Sequence, residues 1–383
     1  MDPEATAAGQ AAPPAQPAGA PAALGDTLDG RWSVAEILSG GQAWVLVVDD
    51  LKQGIRRAIK VSFSGPLAED AELVALFGLD PYPYVVTAFD LVEVGGSQGI
   101  LLEYVPGSLA EAVRGGRPCP LALLQEICAG MAHLSQHGEF AHLDLKPSNV
   151  LISDSGTAKV ADFGLAHAVR IRDGRFPAAA GGTWAYAAPE VIRLEPCDSR
   201  ADIFSFGVIF YQLSTGRLPY PFELAATAGA QRAQLLDYYA SPGPERRCQE
   251  LYYSDQLTPT QLPTPPPSVA VGGIISDCLQ DYPGRRPASF SDLAERLAAE
   301  VGIPVVSLPP VPLAEADRQR RVLVTAEALI RLRRFDEAVR SLNRLLRGPV
   351  DPELSAEARD AARSALIGAG RPDAAAALER WSI

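Results

Sequence analysis

Two short strings constrain this chain more than anything else in it. The first is His142-Leu143-Asp144-Leu145-Lys146-Pro147-Ser148-Asn149, and the second, Asp162-Phe163-Gly164, begins thirteen positions after Asn149. They put a carboxylate, an ammonium and an amide on one short loop, with a second carboxylate close behind. The chain differs in kind on either side of them. Upstream, Trp32 to Leu38, Ala43 to Val48 and Arg57 to Ser62 are strand-like runs separated by Gly or polar turns. Residues 68–79 carry Leu73, Leu76 and Leu79 at helical spacing. Two further strands follow, ending at Ile100 to Tyr104, and Val105 to Ser108 reads as a connector. From about 109 the pattern is mostly helical, over 121–137, 200–214, 269–281 and 290–300, with a loop-like stretch at 241–268. The fold class is α+β: a small antiparallel sheet with one helix, then a larger helical part.

The 383 residues suffice for two or three domains, and 47% hydrophobic content can supply a large core. A net charge of −12 with scattered basic residues argues against nucleic acid as a partner. The 5 cysteines are odd in number, widely spaced and without Cys-x-x-Cys, so reduced thiols in a cytoplasmic protein are expected, not a disulfide framework or a zinc site. His133 and His137 have i, i+4 spacing but no third ligand in sight. The Ala/Pro-rich residues 1–28 read as a disordered tail with no secretory signal. No stretch approaches the ~20 apolar residues of a membrane span.

The two strings, in this order and at this distance, resemble the catalytic core of the eukaryotic-type (Hanks-type) Ser/Thr protein kinases in a bacterial-like form. The resemblance covers about residues 30–300. It implies a bilobal fold, with a kinase domain over 29–302 divided into an N-lobe, 29–104, and a C-lobe, 105–302. It also implies transfer of the γ-phosphate of ATP to Ser or Thr hydroxyls of a protein substrate, with Mg2+ as the metal and Mn2+ as an alternative. Asp144 is then the base and Lys146 the cation facing the transferred phosphate. Asn149 and Asp162 are the metal ligands. Lys60, within Ala58-Ile59-Lys60, matches the Lys that contacts the α/β-phosphates. Its partner should be a Glu on the following helix. Glu69 and Glu72 compete, and Glu72 is chosen because Leu76 and Leu79 then fall on the inward face. Ala58 and Leu151 are expected around the adenine, with Glu103 and Val105 at the connector. Gly182-Thr183-Trp184-Ala185-Tyr186-Ala187-Ala188-Pro189-Glu190 resembles the end of an activation segment, whose Glu190 should pair with Arg286. Asp202 is expected to accept backbone N–H bonds of the catalytic loop.

Two departures matter. The family's glycine-rich pattern falls on Leu38 to Val45 and keeps only Gly40, with Gly41 beside it; Gly40, Gly41 and Val45 are the expected phosphate-loop contacts. Leu143 stands where most members have the Arg that pairs with an activation-loop phosphate, and no Ser, Thr or Tyr occurs between Asp162 and Gly182. The expectation is a kinase independent of loop phosphorylation. The alternative is a pseudokinase, an interaction scaffold with weak or no nucleotide turnover, which the poor glycine loop supports.

Beyond a Pro-rich linker at 303–316, residues 317–383 read as a separate helical unit. Asp336 and Asp373 occupy like positions 37 apart, close to the ~34-residue period of helix–turn–helix repeats. The resemblance is to tetratricopeptide repeats, which present a face to peptide or protein partners. An unrelated pair of helical hairpins, or a unit that docks on the kinase domain, remains open.

Overall fold

The computed structural model describes residues 19–39, 43–62, 72–74, 76–116, 120–136, 141–163, 183–240 and 269–379. Its contacts divide the chain into two units. The first comprises Met1–Phe63 with Asp90–Tyr104, the second Ser64–Phe89 with Val105–Ile383.

The first unit is built on an antiparallel sheet ordered β1-β2-β3-β4-β6-β5. Its strands are β1 (Thr27–Leu28), β2 (Trp32–Ser39), β3 (Ala43–Asp50), β4 (Arg56–Ser62), β5 (Ala88–Val94) and β6 (Ser97–Glu103). The strand-like runs of the sequence therefore become strands nearly to the residue. Alternation sets the faces. Leu46, Val48, Ile59, Val61 and Leu101 join Trp32, Val34, Val92 and Val94 in one buried cluster. The β3–β4 turn is tied by Asp50, which accepts from Arg31 through Nη2 at 2.6 Å and from the N–H groups of Lys52 and Gln53. The Arg31 guanidinium holds the Asp50 carboxyl down to about 2.

The expected tail, 1–28, is corrected over its described part. Thr27 and Leu28 pair with Ser33 and Trp32. Gly25 N–H donates to the Val34 carbonyl at 2.9 Å, and Ala22 is buried in the sheet's core. Low hydrophobicity hid this because the contacts are made by backbone and one small side chain.

The second unit holds a three-stranded sheet, β7 (Gly107–Ser108), β8 (Val150–Ile152) and β9 (Ala158–Val160), ordered β7-β8-β9. The connector expected at 105–108 thus enters a sheet. Ser108 also opens the Leu109–Arg114 helix with a capping box: its hydroxyl accepts from Glu111 N–H at 3.2 Å, and the Glu111 carboxylate accepts from Ser108 N–H at 3.0 Å. The Arg200–Thr215 helix, apolar on every side in sequence, is buried along nearly its whole length. The Ala122–Gln136 helix packs on the Phe290–Arg296 helix and on β9. Cys128, Cys197 and Cys278 are buried free thiols, and burial pushes Cys197 and Cys278 up to about 12. Cys119 and Cys248 lie outside the described residues, as does the stretch 241–268. Among the described residues no helix is long and apolar enough to cross a membrane.

The C-terminal helices, Glu315–Arg331, Phe335–Leu346, Pro352–Gly368 and Pro372–Glu379, enclose their own core around Leu323, Ala326, Leu342, Ala358 and Ala365. The repeat read from Asp336 and Asp373 extends to the backbone. Arg334 N–H donates to Leu329 O and Arg371 N–H to Leu366 O, both at 2.8 Å. Arg333 (φ 58°) and Gly370 (φ 74°) are the left-handed residues of the two turns. The same turn thus recurs at the same spacing. Residues 64–89, which the reading of 29–104 as one lobe joins to the sheet, fall with the second unit; Val74 packs against the C-terminal core.

Candidate active site

The loop from His142 to Asn149 is pinned from below. Asp202, fully buried near the start of the Arg200–Thr215 helix, accepts the N–H of His142 at 2.7 Å and that of Leu143 at 2.8 Å. Leu143 has φ 60°, a conformation that costs a non-glycine residue roughly 1–2 kcal/mol. Both oxygens of one carboxylate therefore hold the strained turn. Burial pushes the Asp202 carboxyl up to about 6, against the opposing pull of His142 and the two N–H bonds. The His142 ring reaches the Ala161 carbonyl through Nε2 at 3.0 Å and lies 5.2 Å from the Phe163 ring. It is a packing and hydrogen-bonding residue.

Above this floor sits Asp144. Its Oδ2 accepts from Lys146 Nζ at 2.7 Å and from Asn149 Nδ2 at 3.2 Å. Its Oδ1 accepts from the Thr183 N–H at 3.2 Å. Lys146 also donates to the Thr183 hydroxyl at 3.1 Å. The segment beginning at Thr183 is thereby fastened to the carboxylate and to the lysine at once. The sequence marked Thr183 only as part of the end of the activation segment; its N–H contact with Asp144 carries no side-chain signal and was not legible.

Asn149 and Asp162 are brought to one end of the β8–β9 hairpin. Val150 pairs with Val160, and Ala161 N–H donates to Asn149 O at 2.9 Å. Asp162 has φ 64°, and Phe163 behind it is buried. Asn149 commits its Nδ2 to the carbonyl and carboxylate of Asp144, which leaves its amide oxygen, touched by the Ser148 hydroxyl at 3.4 Å, as the atom able to meet a cation. An amide oxygen plus a carboxylate fits a hard divalent ion that completes its shell with phosphate oxygens. Among the described residues no cluster of three or more His, Cys, Asp or Glu could hold a metal alone. His133 reaches the Asp80 carbonyl through Nε2 at 3.0 Å and stacks on Tyr82, while His137 lies outside the described residues. Leu151 is half-buried in β8, opposite Ser108 and Lys159, and Val105 is half-buried.

In the first unit, Lys60 on β4 lies opposite Val45 on β3 and Ile100 on β6, and Ala58 lies opposite Val47 and Leu102. Directly paired residues share a face, so Val45, Ala58 and Lys60 line the side turned away from the Leu46–Ile59 cluster. Glu103 pairs with Arg57. Lys60 and, in the second unit, Glu72 are both buried, at 8% and 2% exposure. Gly40, Gly41, Glu69 and Gly164 lie outside the described residues.

The expected pair of Glu190 and Arg286 forms. Arg286 donates Nη1 to Oε1 at 2.6 Å and Nη2 to Oε2 at 2.8 Å. Its remaining N–H groups reach the carbonyls of Gln280, Arg200 and Asp281. This fork–fork geometry spends the whole guanidinium.

Comparison with known proteins agrees with this geometry. The family model described as the protein kinase domain matches residues 39–297. The chain is 31% identical over 289 residues to serine/threonine-protein kinase pkn2 of Myxococcus xanthus, covering 71% of this chain and 32% of that protein. It is 33% identical over 218 residues to serine/threonine-protein kinase PknL of Mycobacterium tuberculosis, covering 54% of each. Against serine/threonine-protein kinase PrkC of Bacillus subtilis it is 29% identical over 225 residues, 55% of this chain and 34% of that protein. The chain thus spans about a third to a half of the length of these curated relatives. The family model covers about two thirds of the chain, and the chain belongs to the protein kinase family.

Proposed function

We propose that the chain is a serine/threonine protein kinase that transfers the γ-phosphate of ATP to Ser or Thr hydroxyls of protein substrates. The observation that carries this is the Asp144 carboxylate, held between Lys146, Asn149 and the Thr183 N–H on a loop that Asp202 pins. Asp144 accepts the proton of the incoming hydroxyl as its oxygen bonds to the γ-phosphorus and the bond to the ADP oxygen breaks. Lys146 neutralises charge on the transferred phosphoryl group. Asn149 and Asp162 are the residues to hold Mg2+, or Mn2+ in its place. A divalent ion there supplies charge neutralisation on the phosphates. Lys60, partnered by Glu72, anchors the α/β-phosphates. Ala58, Glu103, Val105 and Leu151 receive the adenine, and Gly40, Gly41 and Val45 cover the phosphates.

The test is γ-phosphate transfer to the chain itself or to a generic acceptor protein. Asp144→Asn should lower it by about 10²–10⁴-fold, the usual contribution of a positioned base. Equal rates for this variant and the wild type end the reading. Leu143, buried in place of the family's phosphate-pairing Arg, supports activity independent of activation-loop phosphorylation. Phosphatase treatment should then leave the rate unchanged, and a large loss refutes that part. The reading takes 29–302 as the kinase domain and a cytoplasmic setting. It takes 317–383 as a tetratricopeptide-like unit on the strength of the recurring turn.

A further inference from the structure

The far end of the helix that carries Glu72 is capped by another part of the chain. Residues 72–74 and 76–77 are helical, and Gly78 N–H closes the last turn on Val74 O at 3.0 Å. A helix leaves its last carbonyls without donors of its own. Here the donors come from Arg321, on the Glu315–Arg331 helix. Its Nη2 donates to the carbonyls of Leu76 and of Leu79, the latter at 2.7 Å. Its Nη1 donates to Ala88 O at 2.5 Å, and its guanidinium carbon lies 5.1 Å from the centre of the Phe77 ring. Two further contacts join the same regions. Val74 packs against the core of the C-terminal helices, and Val311 N–H donates to Pro81 O at 2.7 Å.

Arg321 is only 5% exposed, and among the described residues its hydrogen bonds all go to backbone carbonyls. Taking a guanidinium out of water costs several kcal/mol unless its donors are spent well. Here they are spent on a helix end, where a cation also meets the negative pole of the helix. Greasy packing between two helical surfaces has no need of such a residue. The arrangement fixes the rotation and axial position of the described last turns of this helix, and Glu72 stands on those turns. Glu72 lies one turn from the capped carbonyl of Leu76.

From this we infer that the C-terminal helices are part of the catalytic apparatus: Arg321 caps the Glu72 helix from a distant part of the same chain and is a positioning residue for Glu72. The inference rests on the phosphotransfer reading above. It makes the C-terminal helices an internal brace for the helix that carries Glu72. Recruitment of partners is then not their sole use.

The experiment uses the full chain as wild type, Arg321→Ala, Arg321→Lys, Arg334→Ala and Asp144→Asn. Arg334→Ala removes the Arg334–Glu337 ion pair in the same helical unit, and among the described residues the Arg334 side chain makes no hydrogen bond to 76–88. Phosphotransfer is measured against ATP concentration, and amide hydrogen exchange is followed at 72–79. Arg321→Ala should raise KM for ATP and lower kcat/KM at least tenfold, with faster exchange at 72–79. Arg321→Lys should recover part of both, and Arg334→Ala should move neither. Wild type indistinguishable from Asp144→Asn overturns the phosphotransfer reading. An active wild type with Arg321→Ala at full kcat/KM, or with Arg334→Ala equally impaired, overturns the capping alone. Should Arg321→Ala not fold, the wild type decides: amides of 72–79 and of 323–329 should share one denaturant dependence of exchange, and independent opening refutes the brace.

Discussion

Two buried arginines in the second unit do different work. Arg286 meets Glu190 through two charge-assisted bonds and finishes with three carbonyls. Arg321 makes no such pair in the described residues and spends itself on the carbonyls of Leu76, Leu79 and Ala88. Burial lowers Arg321 to about 10, so it stays charged at neutral pH. Asp202 is the acidic counterpart of Arg321, a buried charge held mostly by backbone groups. A paired charge locks two side chains and is a matter of stability. A charge bonded to backbone sets where a piece of chain lies, which is a matter of position. The comparison predicts that breaking the first kind costs folding, and breaking the second kind costs activity out of proportion to folding.

The largest effect is expected at the pair. Arg286→Ala strands Glu190, at 6% side-chain exposure, without its cation. Removing one partner of a buried pair costs about 3–5 kcal/mol. Thermal and urea unfolding of the full chain should show that loss, and a change below about 1 kcal/mol would dissolve the distinction drawn here.

Asp202 comes next. Asp202→Asn replaces one acceptor by an amide donor that faces a backbone N–H. The penalty for one unsatisfied buried group is about 1–3 kcal/mol, and Leu143 is left to hold its φ of 60° with half its anchors. Activity should drop by more than that loss of stability accounts for. The pH dependence separates the two. The folded carboxyl titrates near 6, above its ordinary value of 3.8. The folded form therefore binds the proton first. From this group alone, stability rises as pH falls from about 6 toward 4 and declines as pH climbs back through 6. Activity should nonetheless fall below about pH 6, as the protonated carboxyl loses its grip on the loop. A rate profile with that acid limb, over a melting temperature that does not fall with it, is the expected result. Asp202→Asn should lack the limb. A limb unchanged in the variant assigns it elsewhere.

These cases also show why some of the molecule was legible in its sequence and some was not. Asp202 and Arg286 sit in strings whose neighbours are diagnostic, Arg200 to Gly207 and Gly284 to Pro287, so their partners could be named before any coordinates. The strands from Trp32 to Ser62 were legible for a different reason: alternation is a local signal, and their pairing is between neighbours in sequence. Arg321 had no such flag. It stands in Asp317-Arg318-Gln319-Arg320-Arg321, where Arg318 is exposed and pairs with Glu315. Only packing against residues some 240 positions upstream distinguishes one arginine from the next. Strand β1 was hidden similarly, because two residues of an Ala/Pro-rich stretch gain their order from a partner and not from themselves.

The smallest effect sharpens the comparison most. Phe77 offers its ring to Arg321 at 5.1 Å, and Phe204 does the same for Arg286 at 5.1 Å. A desolvated cation over a phenyl face gains about 0.5–2 kcal/mol. If Arg321 is fixed chiefly by carbonyls, Phe77→Leu should cost stability at the low end of that range and leave the Leu76, Leu79 and Ala88 bonds in place. Exchange at 72–79 should then change less than in Arg321→Ala, and kcat/KM should stay within about threefold of wild type. A double-mutant cycle between Phe77→Leu and Arg321→Ala measures the ring's share directly. Coupling as large as the whole effect of Arg321→Ala would mean that the ring, and not the helix end, is what Arg321 serves, and the contrast with Arg286 would then rest on packing.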